Sequence, residues 1–241
     1  MVLALLHPFT ASADQAPFQP GEKLTFQLRW EFVHAGEAVL TVEDMGEVDG
    51  QPAYHFVMTA KTNSFLDMFY KVRDQIESYT DTDMSRSLLY KKKQREGHTK
   101  RDVVVTFDWE EGIAQYTNKG KKATPATLFP GTFDPLGIFF FVRNADLANI
   151  TTIERYVSDG KKCVIGVGHI IKRETIKVPA GTFDTYLISP DLKDVGGVFE
   201  KSDDSNIFIW VTADSRHIPV KIQSKVAVGR FMGELTELVV P

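Results

Sequence analysis

Residues 22–32 read EKLTFQLRWEF, and the alternation in this stretch decides the fold class. Leu24, Phe26, Leu28, Trp30 and Phe32 fall on one face of an extended chain, while Lys23, Thr25, Gln27, Arg29 and Glu31 fall on the other. A period of two is the mark of a β-strand with one wet face. HAG at 34–36 turns the chain back, DGQP at 49–52 turns it again, and Tyr54, Phe56, Met58 and Ala60 then share a face. Short connections between alternating runs define an antiparallel meander.

The pattern recurs to the C-terminus. RDVVVTFDW (101–109) aligns Val103, Val105, Phe107 and Trp109, and HIPVKIQSKVAV (217–228) sets Ile218, Val220 and Ile222 against Lys221, Gln223 and Lys225. NIFIWVTA (206–213) is apolar on both faces, which requires cover on both sides. About twelve strands are expected, forming an all-β, mainly antiparallel, strongly curved or barrel-like sheet.

Two segments break this rhythm. DPLGIFFFVRNADL (134–147) opens with Asp134, a good N-cap, and Pro135, which is favoured at the first helical position. From Leu136 to Val142 it is apolar on every side except for Gly137, so the expected helix must be surrounded by protein, with the sheet wrapped around it. SFLDMFYK (64–71) places Ser64 and Asp67 like a capping box and predicts a short second helix, which must cover something to be stable.

The chain has 241 residues, 43% hydrophobic and 25% charged, enough to bury a full core in one domain. A net charge of −4 gives no global attraction for nucleic acid. The N-terminus is apolar from Met1 to Leu6, and Ala11-Ser12-Ala13 before Asp14 has the small-x-small form of a signal-peptidase site. Residues 1–13 are therefore expected to be a truncated signal peptide cleaved after Ala13, followed by a tail over 14–20 and a single domain over 21–241. Cys163 is the only cysteine, which precludes an intramolecular disulfide and reads as a structural thiol.

The landmarks GEKLTFQLRWEFVHAGEAVL, DPLGIFFFVR, ETIKVPAGTFDTYLISP and IFIWVTADSRHIPVKIQ occur in that order. Together they resemble the bacterial exported-protein family designated domain of unknown function 3108, over about residues 21 to 238. The family pattern falls on Gly21, Glu22, Gly36, Asp134, Pro135, Arg143, Pro179, Gly181, Phe183, Trp210, Asp214, Arg216 and Pro219. The resemblance carries no activity with it. It implies an envelope protein of Gram-negative-type bacteria, in the periplasm, with a layout like the open barrels that carry lipoproteins or lipids.

Catalytic signatures are absent from the sequence: there is no G-x-S-x-G, H-E-x-x-H, Walker loop or C-x-x-C. No enzyme, cofactor or metal is expected. Arg143 follows GIFFFV on a buried helix, so its guanidinium must reach a rim, meet a carboxylate or bind an anion. YKKKQREGHTKR (90–101) is the most basic stretch, and Lys91, Lys93 and Arg95 are its candidate anion contacts, against a plain reading as a solvated hairpin edge.

The expected function is that of a monomeric, non-catalytic periplasmic carrier for a lipid, an acyl chain or an apolar protein segment. Trp30, Phe65, Leu66, Met68, Phe69, Phe139, Phe140 and Arg143 are the candidate ligand contacts, with 64–70 as a lid. The rival expectation is an envelope assembly factor that binds protein or cell-wall polymer. Membrane lipid is a further candidate partner and nucleic acid is not.

Overall fold

The protein is described by a computed structural model, which covers residues 16–191, 206–226 and 229–241. The expected signal peptide lies outside the described residues. In chain order the elements are β1 (Lys23–Trp30), β2 (Val33–Val42), β3 (Gly46–Val48), β4 (Gln51–Thr62), α1 (Ser64–Asp67), β5 (Arg73–Asp81), β6 (Ser87–Glu96) and β7 (Thr99–Asp108). Next come β8 (Ile113–Asn118), β9 (Lys121–Lys122), β10 (Ala126–Thr127), α2 (Gly137–Arg143), β11 (Thr152–Ser158) and β12 (Cys163–Val178). The last four strands are β13 (Gly181–Asp191), β14 (Asn206–Thr212), β15 (Pro219–Val226) and β16 (Gly229–Val239).

Among the described residues, all sixteen strands belong to one antiparallel sheet in the order β10-β8-β7-β6-β5-β4-β2-β1-β16-β15-β14-β13-β12-β11, with β3 beside β4 and β9 beside β8. The expectation of about twelve strands was too low. β3, β9 and β10 have only two or three residues, too few for an alternating pattern to show.

The chain builds one arm outward from β1 and a second arm that returns to it. The first and last strands pair from Lys23↔Val239 to Trp30↔Phe231, with a bulge between Thr25 and Phe26. Further register shifts at Leu28/Arg29, Tyr79/Thr80, Ile170/Lys172 and Trp210/Val211 add local twist, which curls the arms toward each other.

The sheet does not close. Between the start of β6 and the free edge strand β11 runs the segment before α2, where Ser87 N donates to Thr132 O at 3.1 Å and Phe133 N to Tyr156 O at 2.9 Å. Ser158 N then donates to Phe133 O at 2.8 Å, so a single parallel bridge, Phe133↔Val157, stands where a ladder would close a barrel.

Asp134 caps α2 as its position predicts. One carboxylate oxygen accepts from Leu136 N and Gly137 N at 2.8 and 2.9 Å, and the other accepts from the Ser78 and Ser87 hydroxyls, each at 2.6 Å. The carboxylate is fully buried, and burial pushes its pKa up against these four donors. Gly137 is required here, because a Cβ would lie 2.8 Å from Ser87 Oγ and 2.9 Å from Asp134 Oδ2.

The main core gathers on one side of α2. Phe140 stacks on Phe56 with ring centroids 3.7 Å apart, and Phe18 meets Tyr54, Phe56 and Phe140 edge-on. Phe18, just ahead of β1, is itself a core residue at 3% exposure. One sequence expectation is corrected by this packing: α2 is not enclosed on every side, since Gly137, Phe140 and Arg143 are buried, whereas Ile138, Phe139, Phe141 and Val142 are only half-buried.

β14 explains its two apolar faces. Phe208 and Trp210 pack in the main core, while Ile209 and Val211 join a second cluster around Leu147, Ile153, Tyr186 and Ile188.

Candidate functional site

The half-buried side of α2 faces a cavity of about 1190 Å³ between the two arms of the sheet. Pro135, Ile138, Phe139 and Val142 form its floor. Ile76, Tyr90, Val103 and Tyr116 line it from one arm, and Ile153, Val157, Ile188, Ile209 and Val211 from the other. Gly166 and Gly168 on β12 also border it; a Cβ at Gly168 would meet only Ile188 Cγ2 at 3.6 Å, so this position leaves space open, whereas at Gly166 it would press on Val157 Cγ2 at 3.0 Å. The Tyr90 hydroxyl is driven strongly upward in pKa, chiefly by burial, so it stays neutral and can only share hydrogen bonds.

The mouth has a different character. Lys92, Gln94, Glu96, Thr99 and Arg101 line it from the β6–β7 hairpin, and Asp159, Lys161, Lys162 and Asp191 line it from the opposite arm. A recess of about 380 Å³ alongside shares Arg101, Tyr116 and Lys161 and adds Asn118, Lys121, Lys122 and Ala123, with no carboxylate. Lys161 Nζ sits 4.8 Å from the centroid of the Tyr116 ring, where the π-face helps to hold the cation at the rim. Glu96 has its pKa raised, first by burial and then by the neighbouring Asp74 carboxylate, with Lys92 opposing. The cavity therefore pairs an apolar interior with a charged rim in which Lys92, Arg101, Lys161 and Lys162 face Glu96, Asp159 and Asp191, and the cations prevail only toward the adjoining recess.

The sequence-predicted contacts divide between this site and other places. Phe139 and Arg143 border the cavity, but the Arg143 guanidinium is engaged elsewhere. It holds Glu22 by two bonds of 2.6 and 3.0 Å, donates to Pro17 O at 3.1 Å, and its Nε donates to Arg216 O at 3.0 Å. Phe140 lies on the opposite side of α2, in the core. Trp30 stacks with Phe231 at 6.5 Å on the β1–β2 hairpin and does not line the cavity.

Phe65, Leu66, Met68 and Phe69 are also absent from the cavity wall, and Phe65, Met68 and Phe69 are exposed. Here α1 has only four residues and Asn63, not Ser64, caps it through Leu66 N at 2.9 Å. Asp67 turns instead to Arg73 and Thr62.

Lys91, Lys93 and Arg95 occupy the face of β6 opposite the cavity, because strand side chains alternate. Lys91 Nζ lies 5.1 Å from the Tyr79 ring centroid, and Arg95 pairs with Asp102 at 2.5 Å. It is Lys92, between them, that points inward. Lys92 and Arg101 belong to the basic stretch 90–101 that the sequence marks as a candidate anion dock, and parity against Tyr90 on β6 singles out Lys92. Sequence reasoning missed Lys161, Gly166 and Gly168, which nothing local marks.

Other polar constellations carry no comparable opening. His55 stacks on Tyr79 at 4.2 Å with Glu77 at 3.5 Å, and burial lowers its pKa despite that carboxylate. Among the described residues, no three His, Cys, Asp or Glu side chains converge as metal ligands.

The family model described as Protein of unknown function (DUF3108) matches residues 25–236, which spans both arms and the cavity between them. The chain belongs to the DUF3108 family. Among solved structures it is similar to a β-barrel-like protein of domain of unknown function DUF1849 from Brucella abortus. The two share 12% identity and a TM-score of 0.63, with 91% of this chain and 97% of that one covered. This likeness supports the β-barrel-like fold seen in the DUF3108 chain.

Two other structures match with lower scores. One is a protein described as exported, with a YmcC-like fold, from Bacteroides fragilis (10% identity, 92% and 97% covered, TM-score 0.36). The other is a protein described as a lipoprotein from Parabacteroides distasonis (13% identity, 92% and 98% covered, TM-score 0.38). No curated protein matches the DUF3108 chain.

Proposed function

We propose that this protein is a non-catalytic envelope carrier for an amphiphile, which places its acyl part in the cavity and its anionic head at the rim. The observation that carries the reading is the cavity itself: about 1190 Å³, apolar around α2 and cationic at Lys92, Arg101 and Lys161. Small-molecule sites usually occupy about 300–1,000 Å³, so this volume suits a ligand at the large end of that range. Desolvating an acyl chain against the floor supplies non-directional affinity, while the rim supplies polarity and orientation. The likeness of the chain to an exported family in its sequence landmarks favours a location outside the cytoplasm.

The direct experiment is mass spectrometry of lipids extracted from the protein purified under gentle conditions from its envelope fraction. An enriched anionic amphiphile, absent from a Lys92→Glu/Arg101→Glu preparation, is the expected result. Material carrying no lipid above background would contradict the reading.

A second reading, an envelope assembly factor, draws on the outward lysines of the β6–β7 hairpin. It predicts that Lys91→Glu/Lys93→Glu abolishes partner crosslinking in the envelope while lipid content stays unchanged.

A further inference from the structure

The cavity mouth shares one end of the sheet with an unusual set of exposed apolar side chains. The strand register fixes this placement: Trp30 pairs with both Val33 and Phe231, Gly36 with Thr62, Lys61 with Arg73, and Val72 with Glu96. The β1–β2 tip, the 63–72 connection, the β15–β16 hairpin and the β6–β7 turn therefore lie side by side, and Glu96 and Thr99 at the last of these line the mouth.

Phe32 is 88% exposed at the first tip, and Phe69 and Met68 are 74% and 71% exposed on the neighbouring connection. Phe65 packs edge-on against Phe69 at 5.6 Å, and Tyr70 covers Gly97 in the β6–β7 turn. Asn63 ties the two tips together, donating from Nδ2 to His34 O at 2.6 Å and from its backbone N to Ala35 O at 2.9 Å.

Phe32 comes from the β1–β2 tip and Phe65, Met68 and Phe69 from the neighbouring 63–72 connection, so the exposed side chains make one small apolar cluster at this end of the sheet. It suits a surface that accepts individual aromatic side chains at shallow depth. Charge agrees with that. Lys71 on the 63–72 connection and Lys100 beside the β6–β7 turn are exposed, with Lys93 on β6 and Lys119 on the β8–β9 turn at the same end of the sheet. The β1–β2 tip sets the exposed Glu31 against them, but none of these lysines forms an ion pair among the described residues, although the whole chain carries −4.

We propose that this end of the sheet docks on an anionic lipid bilayer, with Phe32, Phe65, Met68 and Phe69 entering the headgroup region and the lysines meeting lipid phosphates. Docking would bring the cavity mouth to the membrane, so that a ligand passes between the two without crossing water. The purpose of docking rests on the carrier reading. The surface itself does not, so the two can fail separately.

The test is flotation of the full chain with vesicles of phosphatidylethanolamine containing about one-third phosphatidylglycerol, at low and at high salt. Wild-type protein is expected to float at low salt and to be released as salt rises. Phe32→Ser/Phe69→Ser should lower vesicle binding by about tenfold or more, with circular dichroism and probe binding in solution unchanged, since both rings are already solvent-exposed. Gly168→Phe, which acts only inside the cavity, should float like wild type. Failure of the wild type to float, or unaltered flotation of the double Phe variant, would overturn the proposal. Capture of an envelope protein by the same rings, without vesicle binding, would overturn it in favour of a protein partner.

Discussion

Arg143 and Glu22 meet 121 residues apart in a two-pronged ion pair of 2.6 and 3.0 Å, with side chains 1% and 2% exposed. Phe18 and Phe140 lie 5.4 and 5.6 Å from the guanidinium carbon, so the pair is sealed between aromatic faces. It fastens α2 to the start of β1, and with it the floor of the cavity to the middle of the sheet. A buried charge that loses its partner is costly. Arg143→Met or Glu22→Gln alone should therefore destabilise the fold by about 3–5 kcal/mol, and Glu22→Leu/Arg143→Met should recover much of the loss. Urea unfolding of the four proteins checks this, and strictly additive losses would show that the two do not act as a pair.

Gly137 reverses an ordinary expectation. In an exposed helix Gly→Ala gains about 1 kcal/mol. Here the added methyl meets Ser87 Oγ, Asp134 Oδ2 and Ser78 Oγ at 2.8 to 3.1 Å, inside a buried hydrogen-bond cluster. Gly137→Ala should instead destabilise by about 1–3 kcal/mol, as overpacking does. A thermal melt higher than wild type would contradict the packing around the cap.

These two residues show what could be read in advance. Alternation in EKLTFQLRWEF and its repeats reveals the antiparallel sheet because burial on one face leaves a period of two in a single strand. Asp134-Pro135 announces α2 through local cap chemistry. The cavity has no such signature, because its wall is assembled from both arms by register and by the twist of a sheet that stops short of closure. The exposed ring set at 64–70 resembles a buried helix face in composition. Only the four-residue length of α1 and the pairing of Asp67 with Arg73 show that it points outward.

Parity on β6 gives a sharp comparison. Lys92 faces the mouth and Lys91 and Lys93 face away, so Lys92→Ala and Arg101→Ala should each weaken an anionic acyl probe several-fold. Lys91→Ala and Lys93→Ala should leave its affinity within about twofold. Fluorescence titration at low salt measures all four, and equal effects at Lys92 and Lys93 would refute the assignment of faces.

Glu96 makes probe binding depend on pH. Its raised pKa means that the group remains protonated above the ordinary carboxylate range and becomes charged as pH climbs through that raised value. Each step upward adds negative charge to the mouth, so affinity for an alkyl sulfonate, itself ionised throughout, should fall with rising pH. Glu96→Gln should flatten the profile at the tighter-binding level. A wild-type profile that rises with pH, or one that Glu96→Gln leaves unchanged, would contradict this role.

The most direct measurement is titration of delipidated protein with a fluorescent long-chain fatty acid, wild type against Gly168→Phe. Gly168 lines the cavity and its Cβ position meets only Ile188 Cγ2, at 3.6 Å, so the new ring can enter the lumen without displacing backbone. Saturable binding by the wild type, lost in Gly168→Phe while circular dichroism and unfolding midpoint are retained, is the predicted result. No binding by the wild type, or equal binding by a folded Gly168→Phe protein, would contradict carriage in this cavity.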